Sequence, residues 1–297
     1  DPKDSQGLNV GNNGGDQTIG PGEKRQYTYY AHPLNKETTS LVWDGGNIVV
    51  NPRNGLYGAI IVGPRGSQYR DPVTGGDISQ KNSWRADVIV DTTLPENVGK
   101  RNYRDVALFF QDEDNIIGTA FMPYVQNVAG LTSVNYRAEP YKFREEQGCS
   151  LGKIFQPCVV GKPEDPATPV IEAHAGDALR IHVIGANSEQ NGMFGIEGHE
   201  WPIEPYMPGA DMISVVEYAG SETLDVFVRG GAGGPYRQVG DFVWSNQRLP
   251  YTQSGQWGYL RVLPAGDTRI QPLGAFGAAA KRADLAPQPK ATPTAMK

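Results

Sequence analysis

The sequence predicts an all-β sandwich architecture, and three observations carry the prediction. Runs of strand length, alternating or continuously apolar, recur between turn residues. No stretch sustains a 3.6-residue period over ten residues or so. Glycine (37) and proline (23) together make up about a fifth of the 297 residues, a proportion that long helices do not tolerate. In chain order the runs fall at 25–31, 59–62, 86–90, 106–110, 170–173, 178–184, 223–228 and 259–263, and DFVW at 241–244 also reads as a strand. Turn chemistry separates them: GPGE at 20–23, WDGG at 43–46, DEDN at 112–115, AGD at 175–177 and GGAGG at 230–234.

A polar, irregular stretch from 139 to 169 divides two strand-rich blocks. The expected organisation is a domain over 1–140, a connector over 141–169, a second domain over 170–264 and a low-complexity tail over 265–297. The tail is rich in Ala, Pro and Lys and too poor in large apolar groups to form a core, so it is expected to be extended unless a partner holds it.

Composition excludes several classes of function. With 38% hydrophobic residues and no apolar run near the roughly 18 that a spanning helix needs, no membrane span is expected. A formal charge of -6, from 27 basic and 33 acidic residues mixed along the chain, offers no basic surface to a nucleic acid. Four histidines and two cysteines are too few to assemble a large copper or zinc centre or an iron–sulfur cluster. Cys149 and Cys158 close the loop GCSLGKIFQPC, whose spacing fits neither a CxxC redox motif nor a zinc ribbon. A structural disulfide is expected, with two free thiols as the alternative, and it implies an oxidising compartment: extracellular, cell surface or periplasm. No N-glycosylation sequon is present, and Asp1 opens the sequence without a charged n-region and apolar h-region, so a signal peptide already removed or an internal fragment is expected.

The two blocks echo each other. Each has a Gly-acid turn leading into a strand, GPGE at 20–23 and HAGD at 174–177, and each closes on Gly-aromatic-Gly and an aliphatic strand, GLYGAIIV (55–62) and GQWGYLRVL (255–263). With these motifs in this order, together with GPGEKRQYTYYA and VIEAHAGDALRIHVIGANSEQNGMFGIEGHEW, residues 7–264 resemble the multicopper oxidase family. The resemblance implies two Greek-key cupredoxin-like sandwiches, with Trp201, Trp244 and Trp257 as core aromatics. It also implies that the first domain is incomplete, because the PGE strand, midway through a domain in the family, here lies some twenty residues from Asp1. Another polypeptide or a neighbouring copy is then expected to complete it, within an oligomer or larger assembly.

The family's copper positions are replaced. Where it has H-P-x-H-x-H-G-H, this chain reads Gly192-Met193-Phe194-Gly195-Ile196-Glu197-Gly198-His199, which puts the three ligand positions on Gly192, Gly195 and Glu197. His199 matches the motif's last histidine, which is not a copper ligand in the family. Where the family has H-C-H, a further histidine and Gly-(Met/Leu), this chain has Ser245-Asn246-Gln247, Tyr251 and Gly255-Gln256. First-domain ligand positions fall, by a loose alignment, near Gly45 and Asn47. Blue copper needs a thiolate and imidazoles, so the resemblance implies a scaffold kept after its metal was lost. No cofactor and no catalytic residue is expected, and the function implied is that of a structural or interaction subunit. The alternative is the C-terminal part of an active copper-dependent oxidoreductase whose ligands lie on other strands.

Four residues remain weak metal candidates: His174, His182, Glu197 and His199. Each histidine reads more readily as a hydrogen-bonded structural group. QDEDN at 111–115 reads as a solvated hairpin tip rather than a calcium loop, and GGAGG as a flexible turn. No G-x-S-x-G elbow, phosphate loop or glycosidase carboxylate pair is present.

Overall fold

The computed structural model describes residues 3, 5–32, 37–48, 50–113, 131–158, 165–188 and 190–274. The chain is an all-β sandwich. One sheet has five strands, ordered β12 (Val215–Tyr218), β9 (Gly192–Ile196), β14 (Gly240–Asn246), β15 (Trp257–Leu263) and β7 (Val170–His174). The other has six, ordered β13 (Thr223–Phe227), β8 (Leu179–Ser188), β5 (Tyr103–Glu113), β4 (Arg85–Ile89) and β3 (Gln68–Arg70), with β6 (Leu131–Val134) also paired to β5. Strand alternation sends Val106, Leu108 and Phe110 of β5 into the space between the sheets, where they meet Phe194, Ile196, Trp244, Leu260 and Val262. The expected core aromatics Trp201, Trp244 and Trp257 are fully buried. No helix among the described residues is long and apolar enough to cross a membrane.

The expected division at the connector does not separate two sandwiches. β5, from the first block, pairs in parallel with β8, from the second, in register from Arg104↔Leu179 to Asp112↔Ser188. A parallel pair cannot be joined by a tight turn and needs a long crossover, and the stretch read as a linker is part of that crossover. Sequence reading paired neighbours along the chain, whereas here β3 to β6 belong to the same sandwich as β7 to β15.

What remains of the first block is a two-stranded sheet, β1 (Thr38–Trp43) paired antiparallel with β2 (Tyr57–Val62), and the one-turn α1 (Val50–Arg53) between them. Among the described residues it has no second sheet of its own. Its inward residues Leu41, Tyr57, Ala59 and Ile61 lie on the outer face of the six-stranded sheet, against Ala107, Phe109, Ile184 and Ala186. The run at 25–31 forms no strand, and Tyr29 and Tyr30 are exposed, because no described strand pairs with it. β1, whose TTSLVW is β-prone but gave no turn-bounded signal, takes its place.

Within the connector Cys149 and Cys158 form the expected disulfide. After α2 (Tyr141–Glu146), Phe155 and Tyr141 pack edge-on against Trp257, and the buried Arg144 guanidinium lies 5.3 Å from the same indole. The expected tail begins as packed chain rather than free extension. Ile270 is buried, the Gln271 N–H donates to the Pro72 carbonyl at 2.7 Å, and the Gln271 carbonyl accepts from Arg104 at 2.8 Å. Residues 275–297 lie outside the described residues.

Candidate functional site

The positions on β9 and β14 that the resemblance assigns to copper ligands are split by strand alternation between the two faces of the five-stranded sheet. β14 pairs with β9 so that Asn246 lies opposite Phe194 and Ser245 opposite Gly195. Directly opposed residues share a face, so Asn246 points inward with Phe194 while Ser245 and Gly195 lie on the outer face.

On the inner side, Asn246 uses its whole hydrogen-bonding capacity. Its Oδ1 accepts from the backbone N–H of Met193 at 3.1 Å and of Arg248 at 3.2 Å. Its Nδ2 donates to Gln256 Oε1 at 2.8 Å and to the Tyr218 hydroxyl at 3.2 Å. Gln256 then donates from Nε2 to the Gln111 carbonyl at 2.8 Å, beside a β-bulge between Phe110 and Gln111. Tyr251 donates its hydroxyl to Asp112 at 3.2 Å, and Ser188 donates to the other oxygen of the same carboxylate. Burial, with Asp112 and Tyr251 nearby, pushes the Tyr218 phenol far above its ordinary range and keeps it protonated.

Two glycines at positions that the resemblance assigns to ligands make room for this network. A Cβ on Gly192 would stand 2.1 Å from the Tyr218 ring, and one on Gly195 would stand 2.2 Å from the Gln247 amide. The space that imidazoles would need is filled by a tyrosine on one face and a glutamine on the other. Asp112, read as part of a solvated tip, is instead buried inside β5. Residues 114 and 115 of that motif lie outside the described residues.

The weak metal candidates are dispersed, and no group of three potential ligands occurs among the described residues. Glu197 is exposed. His199 Nδ1 lies 2.8 Å from the Glu197 carbonyl, and its Nε2 accepts from the Gly233 N–H at 3.1 Å. Burial lowers its basicity, and it is a neutral structural imidazole. That bond also holds GGAGG in a packed turn, with the Ala232 N–H donating to Asp177 at 2.9 Å, where a flexible one was expected. His174 accepts at Nδ1 from Arg104 at 3.3 Å and donates from Nε2 to the Asp267 carbonyl at 2.9 Å. A guanidinium has only donors, which settles that tautomer. Gly45 and Asn47 lie in the loop before α1, where Asn47 Oδ1 accepts from the Val50 N–H.

His182 sits in a charge cluster that motif reading missed. Its Nε2 lies 2.8 Å from Asp105 Oδ1 and its Nδ1 2.6 Å from Asp225 Oδ1. Arg180 grips Asp105 with Nε at 2.8 Å and Nη2 at 2.9 Å and reaches Glu37 at 3.2 Å. Thr39, from β1, donates to Asp225 at 2.9 Å. Burial disfavours the imidazolium, but the two carboxylates outweigh it and raise the His182 pKa. The same contacts hold Asp105 and Asp225 below the carboxylate range in spite of burial. The available signal was a charged residue inside each of three apolar strands: Asp105, His182 and Asp225.

The fold can now be compared with known proteins. The similarity found is one of fold, to solved copper oxidases and a copper nitrite reductase. Against the structure of Blue Copper Oxidase from Nitrosomonas europaea the identity is 15%, covering 83% of this chain and 61% of that one, with a TM-score of 0.47. Against the copper nitrite reductase of the same organism the identity is 13%, covering 89% and 72%, with a TM-score of 0.47. Against the laccase from Botrytis aclada it is 14%, covering 86% and 38%, with a TM-score of 0.42. The chain thus spans about three fifths of the length of the blue copper oxidase. No family model matches, and no curated protein matches. A likeness of strand arrangement does not carry a site from one chain to another.

The residues here do not fit copper. At the positions that the resemblance assigns to ligands stand glycines, amides, hydroxyls and the exposed carboxylate of Glu197. Asn246, the best placed of them, has both amide atoms fully engaged, and both cysteines are in the disulfide.

Proposed function

We propose that this chain is a copper-free cupredoxin-fold module that serves as a structural or interaction subunit in an oxidising, extracytoplasmic setting. The observation that carries the proposal is the saturated Asn246 amide: a metal at this position would have to break four hydrogen bonds in a buried site and offer no imidazole or thiolate in exchange. The disulfide supports the compartment. The test is metal analysis of the purified full chain after equilibration with excess Cu(II), with optical and paramagnetic resonance spectra. The expected result is no stoichiometric copper after gel filtration. A retained equivalent of copper, above all one with a thiolate-to-copper charge-transfer band, would overturn the proposal.

A further inference from the structure

No main-chain ladder joins β1 or β2 to a strand of the six-stranded sheet among the described residues. The hairpin is held there by Leu41, Ala59 and Ile61 in its middle and by polar contacts at its two ends. At the α1 end the Tyr57 hydroxyl donates to Gln111 at 3.0 Å, and the Tyr136 hydroxyl donates to the Gly55 carbonyl at 2.9 Å. At the other end, where Thr38 pairs with Val62, Glu37 and Thr39 enter the charge cluster around His182. Thr223 Oγ1 donates there to the Thr39 carbonyl at 2.8 Å.

The cluster is balanced only when His182 carries its proton. Lys100, Arg180 and the imidazolium then face three carboxylates, those of Glu37, Asp105 and Asp225. The other ionisable groups packed against it are the phenols of Tyr69, Tyr103 and Tyr206, which burial keeps protonated. With a neutral His182, two cations remain for three carboxylates, in a site where Asp105, Arg180 and His182 are all buried. A neutral imidazole also has a single N–H to offer two carboxylates. Whichever nitrogen keeps it, the other sets a lone pair against a carboxylate oxygen, at 2.8 Å from Asp105 or 2.6 Å from Asp225. The Thr39 hydroxyl, 2.6 Å from Nδ1 and 2.9 Å from Asp225, has one hydrogen and cannot serve both. Ladders lace β5, β8 and β13 together, so β1 is the strand that yields.

We propose that this end of the hairpin is a pH-sensitive latch: Thr39 closes it on protonated His182 and Asp225, and loss of the His182 proton to solvent lifts the start of β1 from the six-stranded sheet. The opening admits water to supply the missing donor and uncovers Ala107 and Ile184. The two carboxylates raise the basicity of His182 above its ordinary 6.5 in spite of burial, so the latch is closed in acid and opens on the alkaline side of that value.

The test places a thiol under the hairpin. Both native cysteines are in the disulfide, so Ile184→Cys carries the one free thiol of the full chain. Its labelling by a methanethiosulfonate is followed from about pH 5 to about pH 9, corrected for thiolate fraction with a short peptide, while the His182 ring is titrated by NMR. The expected result is a corrected rate that rises about 10-fold or more, with its midpoint at the His182 midpoint. Ala173→Cys, between the two sheets, should not label in step. Thr39→Val should label fast already at about pH 5, and Thr39→Ser, which keeps the hydroxyl, should restore the pH dependence. If Ile184→Cys does not fold, Ala107→Cys, covered by the same hairpin, takes its place. A flat rate while His182 titrates overturns the proposal. So does labelling of Ala173→Cys in parallel, which would assign the change to global unfolding.

Discussion

Asn246 lies at the centre of a network in which every donor has an acceptor, so its replacement by an apolar isostere strands partners rather than removing a single bond. Asn246→Leu leaves the Met193 and Arg248 N–H groups and Gln256 Oε1 buried without partners. The expected loss is about 3 kcal/mol in urea denaturation. A loss below about 1 kcal/mol would show that the network is slack. His182 gives the chain a pH signature. Its folded-state pKa is raised, so its contribution is complete below the unfolded value near 6.5 and declines as pH rises through the folded value. Asp87 works in the same direction: burial outweighs the attraction of Arg104 at 2.7 Å and lifts the carboxyl from 3.8 to about 6, so stability falls as pH rises between those values, where the unfolded carboxyl ionises first. Asp105 and Asp225, with lowered values, act oppositely and withdraw their contribution only as pH falls below about 4. The thermal midpoint should therefore be higher near pH 5 than near pH 8. Asp87→Asn should flatten that slope, and a midpoint that rises from pH 5 to pH 8 would contradict the assignment.

At the scale of elements, the disulfide and the aromatic cluster beside it behave as one unit. The bridge closes a loop with a sequence separation of 9, joins the end of α2 to the chain after Phe155, and so holds Phe155 and Arg144 against Trp257. The Cys149→Ser, Cys158→Ser double variant should lose about 2–3 kcal/mol and show a changed tryptophan emission. An unchanged denaturation midpoint would mean that the aromatic packing alone orders the loop. This unit was half legible: the spacing of the cysteines pointed to a bridge, but the contact of Phe155 with Trp257 joins residues some hundred positions apart and left no local trace. The reverse holds for 25–31, where a strand-like pattern found no neighbour to pair with. A strand is made by its partner, and alternation in sequence shows only that a partner could be used.

The molecule as a whole depends on the parallel β5–β8 pair. Because β5 lies between β4 and β8, and its Val106, Leu108 and Phe110 pack against strands from beyond residue 170, neither half of the chain has a closed core. Expressed alone, 1–140 and 141–297 should each lack cooperative unfolding, and mixing them should restore it. If 1–140 unfolds cooperatively by itself, the first block is a domain after all and the pairing across the connector is secondary. In the same topology the side of β5 away from β4 is covered by this chain's own β8.

Composition and local pattern pointed to an all-β sandwich and to the disulfide, and the resemblance pointed to the buried tryptophans and to positions that hold neither imidazole nor thiol. These are properties of residue type and short-range spacing, which survive without knowledge of the fold. Local pattern could not show which strands are neighbours, because the β5–β8 ladder closes through main-chain groups that every residue carries. Nor could it show what occupies the replaced positions. Tyr218, Gln111 and Asp112 come to Asn246 and Tyr251 from other strands, and the three charged strands that meet at His182 are brought side by side only when the six-stranded sheet forms.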